Sequence, residues 1–481
     1  MPFDSKFQLT PEEMRKLGYQ VVDQMVEHLS TMRDQPVMRL SSRQELEKKL
    51  REPLPEAPAP VEDILEKLQQ DVWSNIGNVG HPRFFAFIPS PSNFVSVMAD
   101  ALVSGFNPFS GTWLEGSGPA EIELITIDWL REICGLPEGA GGLFVSGGSM
   151  ANLTALAVAR KFRLQDKIEN AVIYFSDQTH SCVERAILVL GFHPDQIRKI
   201  QSDSAFRLRV DLLREALEAD RSAGKTPFCL IANAGTTNTG AVDPLDELAD
   251  LCESEGLWFH IDGAYGAAAA FSDKGRELLK GLGRADSLAL DPHKWLFQPF
   301  EIGCVIVRDS NQLKETFRIL PEYLKDTVRA DEEVNFCDRG IQLTRSFRAL
   351  KLWMSFKAFG AASFREAISR GILMAEFAEN RLRSMKNWEI VSPATLAIVA
   401  FRYAPENSSE DLINELNQLL IRMVLESDFA LATSTVLNGR TVLRLCTINP
   451  RTTAVDISET LKWLDSLAAH ASQQIIEKIN Q

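Results

Sequence analysis

The stretch Ser287-Leu288-Ala289-Leu290-Asp291-Pro292-His293-Lys294-Trp295-Leu296-Phe297 decides how the chain is read. A short apolar run leads into a lysine that follows directly on a histidine and is backed by a bulky apolar tail. No other Lys or Arg occurs from Ala285 to Val307. A lone lysine is ordinarily a solvated surface charge. In apolar surroundings its ammonium is desolvated, its pKa falls, and the neutral amine can attack a carbonyl. From this stretch alone, a Schiff-base lysine competes with plain packing at a strand end.

Outward from it, near-continuous apolar runs alternate with helix-length amphipathic segments. Strands are expected at 142–146, 171–175, 197–200, 228–233, 258–262, 287–290 and 303–308. Such a pattern predicts an α/β unit with a mostly parallel sheet covered on both faces. Ligands of such sheets bind at the carboxyl ends of the strands. Further on, a long helix is expected from about Phe347 to Met385. Strand-like runs at 389–391, 396–403, 430–434 and 441–447 with helices at 409–427 and 455–473 then read as a small α+β domain. Upstream, Thr10-Pro11-Glu12-Glu13 opens a helix, and Met14, Leu17, Val21, Met25 and Leu29 make an apolar stripe that needs a partner surface. A polar helix near 42–50, a Pro-rich linker at 53–60 and a helix from about Val61 to Ile76 follow. The division is an N-terminal helical arm at 1–85, a large domain at 86–375 and a small domain at 376–481.

At 481 residues the chain needs more than one packed unit. Its net charge of −14, without a long basic run, argues against nucleic acid or an anionic membrane as partner. Apolar runs stop well short of the ~18 residues of a membrane span. The opening residues carry no secretory pattern, and the seven cysteines are scattered singly without a CxxC pair. A cytoplasmic protein without structural zinc or disulfides is expected.

The strand ends carry the chemistry. After the first strand, Ser146-Gly147-Gly148-Ser149 opens a helix, a turn that suits an anion such as phosphate but is a weak signal alone. It is neither a Walker loop nor a dinucleotide fingerprint. His180 follows the second strand, and Ala234-Gly235-Thr236-Thr237 the fourth. Asp262 ends the fifth, where a buried carboxylate wants a cationic partner. Metal is disfavoured because the histidines do not cluster. Phosphate turn, buried aspartate and a lysine 32 residues on, all at strand ends, are the parts of a pyridoxal phosphate site.

The motifs HPRFFAFIPSPS, SGGSMANLTALAVAR, YFSDQTHSCVERA, NAGTTNTGAVDPL, HIDGAYG, DPHKWLF and LPEYLKD together resemble the group II pyridoxal-phosphate-dependent decarboxylases, nearest the aromatic-L-amino-acid decarboxylases, over nearly the whole chain. The resemblance implies a fold-type I homodimer with its active site at the subunit interface. It implies that Lys294 carries the cofactor, Asp262 pairs with the pyridine nitrogen, His180 stacks on the ring and Ala264 packs on the other face. Gly148, Ser149 and His293 would hold the phosphate, with Thr237 near the ring substituents. Tyr323 matches the tyrosine of the family's mobile loop and would return a proton to Cα. Related aldehyde synthases carry phenylalanine there, so tyrosine favours simple decarboxylation over oxidative deamination. Phe87, Pro89, Ser90, Phe109, Trp113 and Thr344 match substrate positions, with Phe109 and Trp113 coming from the partner chain. The bulk of Thr344 favours phenylalanine- or tyrosine-like substrates over tryptophan. Decarboxylation of a non-aromatic amino acid is the other alternative. Three departures stand out: Asp291 where an asparagine often touches the phosphate, Gly148 for alanine, and Ser346 for arginine.

Overall fold

The computed structural model describes residues 8–319 and 333–479. A seven-stranded sheet is built from β1 (Gly141–Val145), β2 (Ala171–Ser176), β3 (Ile197–Ile200), β4 (Thr226–Asn233), β5 (Trp258–Asp262), β6 (Ser287–Leu290) and β7 (Gly303–Val307). Their order is β1-β7-β6-β5-β4-β2-β3, and β7 alone runs against its neighbours. The expected α/β class and mostly parallel sheet are therefore present. β5 and β6 are buried along their whole length, because helices cover both faces of the sheet.

In chain order the helices before the sheet are α1 (Pro11–Thr31), α2 (Arg43–Leu50), α3 (Val61–Lys67), α4 (Phe94–Phe106) and α5 (Trp113–Ile133). The crossovers carry α6 (Gly148–Leu164), α7 (Ser181–Val189), α8 (Val210–Ser222), α9 (Leu245–Glu255), α10 (Asp273–Leu278) and, after β7, α11 (Asn311–Phe317). The helix expected to reach Ile76 instead widens after α3 into a π turn and then tightens into a 3₁₀ turn. α1 opens with the expected Thr10 cap, which Glu13 completes as a capping box, yet it buries none of its residues in this chain.

α12 (Ala349–Arg383) leads to a four-stranded antiparallel sheet of β8 (Trp388–Thr395), β9 (Ile398–Tyr403), β10 (Thr433–Leu437) and β11 (Arg440–Cys446), backed by α13 (Glu410–Leu425) and α14 (Ala454–Ile479). The long helix is interrupted at Gly360, whose φ of 72° and ψ of 154° no helix accommodates. Its Ile368 and Ile372 pack into the core of the large sheet, whereas Ala378 and Leu382 pack into that of the small one. The strand expected at 430–434 begins later. Leu431 pairs instead with the N-terminal segment, donating to the Arg83 carbonyl and accepting from the Phe85 amide.

Candidate active site

Every strand end singled out above opens on one cavity of about 420 Å³. Gly148, Ser149, His180, Thr237, Asp262, Ala264, His293 and Lys294 all line it. The heptapeptide after β6 folds into turns: the Lys294 amide donates to the Asp291 carbonyl and the Phe297 amide to that of Lys294. Its apolar tail is core. Trp295 is fully buried and stacks on Tyr265 at 5.3 Å between ring centroids. The lysine thus hangs from a turn anchored by aromatic packing, with its own side chain 24% exposed to the cavity.

The electrostatics of Lys294 differ from the expectation of a depressed amine. Burial does disfavour its charge, but the carboxylates of Asp291 and Asp262 outweigh burial and raise its pKa above the usual value. The Asp291 Oδ2 lies 3.0 Å from the Lys294 Nζ and 3.7 Å from the His293 Nε2. Asp291 therefore points into the site, although a carboxylate beside a phosphate is unfavourable unless it points away.

Two glycines make room for it. A Cβ on Gly148 would meet the Asp291 Oδ2 at 2.9 Å, and one on Gly303 would meet its Oδ1 at 2.7 Å. The Oδ1 of Asp291 has no hydrogen-bond partner among the described residues. A carboxylate within about 5 Å of a bound phosphate repels it by about 3 kcal/mol at an effective dielectric constant of about 20. Asp291→Asn is accordingly expected to tighten pyridoxal phosphate binding by up to about a hundredfold, measured by titrating cofactor-free protein; equal or weaker binding would show that the contact to Lys294 outweighs the repulsion.

α6 begins at Gly147 without a side-chain cap, which leaves first-turn N–H groups and the positive end of the helix dipole for an anion. Asp262, at the end of β5, accepts from the Asn152 Nδ2 at 3.1 Å and from the Ala264 amide at 3.1 Å. His180 caps α7 and accepts the Cys182 amide on its Nδ1 at 3.3 Å, so in its neutral form the proton sits on Nε2. Desolvation by the cavity wall, aided by Lys294 and against Asp262, lowers its pKa.

None of the expected substrate residues lines this cavity. Phe87 is 62% exposed and Thr344 is exposed, while Phe109 and Trp113 are half-buried and Pro89 is buried. Ser90 is buried, and its hydroxyl donates to the carbonyls of His293 and Gln298, bracing the lysine turn. Tyr323 lies outside the described residues. Sequence reasoning missed Asn233, Tyr265 and Glu301, which also line the cavity. Glu301 accepts from the Arg348 Nη2 at 2.9 Å, a pairing across 47 residues that no local pattern announces. No group of His, Cys, Asp or Glu able to hold a metal occurs among the described residues.

Burial pushes the imidazoles of His81 and His260 down from the usual 6.5 to about 4. The unfolded chain then binds protons that the folded chain refuses. Their contribution to stability is present above pH 6.5 and is lost as pH falls from there to about 4, up to about 3 kcal/mol each. Urea midpoints measured between pH 7.5 and 4 should fall steeply in that window; a flat profile would contradict it.

A carboxylate, an amine and an anion-binding helix end in one cavity fit a pyridine ring bearing an aldehyde and a phosphate. Fold and site together define a pyridoxal-phosphate-dependent enzyme of the α/β type. The model of the pyridoxal-dependent decarboxylase conserved domain matches residues 44–404, and the chain belongs to that family. It is 51% identical over 467 residues, 97% of each chain, to an aromatic-L-amino-acid decarboxylase of Bacillus atrophaeus. It is 32% identical to a phenylacetaldehyde synthase of Arabidopsis thaliana, over 95% of this chain and 96% of that one. Its fold is similar to that of Catharanthus roseus tryptophan decarboxylase in complex with L-tryptophan, with a TM-score of 0.90 at 31% identity, over 96% of this chain and 99% of that one.

Proposed function

We propose that the protein removes carbon dioxide from an aromatic L-amino acid and releases the amine. The observation that carries this reading is the convergence of Lys294, Asp262, His180 and the α6 N-terminus on one cavity, in a chain half identical over its length to an aromatic-L-amino-acid decarboxylase. Gly148, Ser149 and His293 would hold the phosphate, Asp262 the protonated ring nitrogen, Thr237 and Ala264 the ring, and Lys294 the aldehyde carbon. Pyridoxal phosphate, when bound, supplies an electron-withdrawing ring that accepts the electron pair left as the carboxylate departs. The protein's own groups do the rest. Lys294 would hold the cofactor between turnovers and, when the substrate amine takes its place, would be an amine free to carry a proton within the cavity. His180 offers its Nε2 for moving a proton, and Tyr323 is assigned the return of a proton to Cα.

Among the described residues lining the cavity there is no arginine, Lys294 already faces the Asp291 carboxylate, burial lowers the pKa of both His180 and His293, and Glu301 adds a carboxylate. That lining disfavours a substrate with an acidic side chain such as glutamate. The aldehyde-forming reading draws on the resemblance to phenylacetaldehyde synthases, and Tyr323 opposes it. The deciding experiment is a panel of amino acids with amine, ammonia and peroxide detected in parallel. Amine with stoichiometric carbon dioxide from phenylalanine or tyrosine is expected, with Thr344→Gly shifting preference toward tryptophan. Peroxide with ammonia, or activity confined to non-aromatic acids, would overturn the reading.

The substrate-facing roles of Phe87, Pro89, Ser90, Phe109, Trp113 and Thr344 belong to a homodimer with the site at its interface. Supporting it, α1 buries none of its residues in this chain: of its apolar stripe Met14 is 54% exposed and Leu17, Val21, Met25 and Leu29 are only half-buried, a stripe that a second copy would cover. The change of core along α12 supports the division at 375/376, and the division at 85/86 is proposed from the sequence pattern. A cytoplasmic location is proposed from the scattered thiols, all free; no helix among the described residues is long and apolar enough to cross a membrane.

A further inference from the structure

Behind Asp262 lies a row of buried polar side chains that the proposed chemistry does not use. The Trp258 Nε1 lies 2.8 Å from the Ser287 Oγ. The Ser287 Oγ lies 2.8 Å from the His260 Nδ1, and the His260 Nε2 lies 2.8 Å from the Asn152 Oδ1. The Asn152 Nδ2 lies 3.1 Å from the Asp262 Oδ2 and 3.3 Å from the Cys182 Sγ. Asn152, His260 and Ser287 are all fully buried. β5 and β6 pair His260 with Ser287 in register, and α6 lays Asn152 across the end of β5.

The direction of every bond follows from the two ends. An indole N–H can only donate, and a carboxylate can only accept. Asn152 must therefore turn its NH₂ toward Asp262 and its carbonyl toward His260. His260 must then carry its proton on Nε2 and accept on Nδ1, and the Ser287 hydroxyl must donate to it. Burial keeps this imidazole neutral down to about pH 4, against the pull of Asp262, so it has one proton to give. All four bonds point the same way, and bonds so aligned polarise one another.

We propose that Asn152, His260, Ser287 and Trp258 form a one-way donor chain that positions the Asp262 carboxylate and sets how strongly it holds the proton on the cofactor's ring nitrogen. The chain rests on the assignment of Asp262 to that nitrogen. Asn152 and His260 are positioning residues, since they reach the cofactor only through Asp262. Removing a donor to a charged acceptor weakens it in proportion to its nearness. Asn152→Leu should lower kcat by about tenfold to a hundredfold, and Trp258→Phe, at the far end, by about threefold.

Two measurements separate this role from simple support of the fold. Holoenzyme is reconstituted with pyridoxal phosphate carrying ¹⁵N at the ring nitrogen, and solid-state NMR reads that nitrogen's shift. The shift should move from the protonated toward the unprotonated position in Asn152→Leu and His260→Phe. In parallel, the same variants are loaded with an analogue that has carbon in place of the ring nitrogen. There the substitutions should change the residual rate by less than about twofold. An unchanged ¹⁵N shift, or an equal loss of rate with both cofactors, overturns the donor chain. Should the Asn152 and His260 variants fail to fold, Trp258→Phe carries both measurements alone. Wild-type protein that does not take up the labelled cofactor would instead overturn the functional reading beneath it.

Discussion

Lys294→Ala is expected to lower turnover by more than about 10³-fold while leaving the fold intact. The side chain emerges from a turn whose aromatic anchor, Trp295 on Tyr265, does not involve it. Its partner Asp291 would lose the cation at 3.0 Å, so a modest loss of stability should accompany the loss of activity. Lys294→Arg separates the two effects. It restores a cation beside Asp291 and Asp262 but offers no amine able to condense with an aldehyde. It should therefore recover stability and remain as inactive as the alanine variant. Borohydride reduction followed by peptide mass spectrometry gives an independent reading: the wild-type peptide containing Lys294 gains the mass of the cofactor and the variants do not. An Arg variant with near wild-type turnover would show that the lysine serves only as a charge.

Arg345→Met is expected to cost about 3–5 kcal/mol of folding stability, because it strands Glu123 as a buried charge. The two side chains are 1% and 0% exposed, and the Arg345 Nη2 donates to the Glu123 Oε1 at 2.6 Å. Arg345 also donates to the Ser110 carbonyl at 3.1 Å and to the Phe144 carbonyl at 2.8 Å. Glu123 in turn accepts the Phe144 amide at 2.9 Å. One ion pair thus joins α5, β1 beside the glycine turn, and the loops that carry Phe109 and Thr344. The double variant Arg345→Met/Glu123→Leu should recover much of the loss, since a well-packed apolar pair often replaces a buried ion pair at little cost. Urea denaturation of the two single variants and the double variant checks this. Additive losses would mean that the carbonyl contacts, rather than the charge pair, carry the stability.

The neighbouring departure, Ser346 for arginine, is exposed, and nothing in the structure explains it. Arg345 did not stand out in the sequence either. A charged residue between threonine and serine resembles any polar loop, and only burial against Glu123, 222 residues away, gives it weight.

Much of the architecture was legible without coordinates. Apolar strands of four to eight residues separated by helices lead to a covered parallel sheet on periodicity alone, and Asp262 and Lys294 declare themselves as charges ending buried strands. Boundaries were less legible where a competing contact decides them. Leu431 looks like strand but is drawn to the Arg83–Phe85 segment, and α12 looks continuous but turns at Gly360.

The sequence by itself determined the class of fold, which follows from local periodicity, and its motifs taken together pointed to the cofactor chemistry and to the residues at the strand ends, each of which alone has a plainer reading. Only the tertiary structure decided what surrounds Lys294. Lysine among apolar neighbours reads as a depressed amine, yet the turn folds Asp291 back onto it and β5 brings Asp262 alongside, reversing the sign of the shift. The space for Asp291 comes from Gly148 and Gly303, and the donors behind Asp262 come from Asn152 and Ser287. Electrostatic and steric energies fall off through space, so strand register and helix docking set them, and distance along the chain carries no record of either.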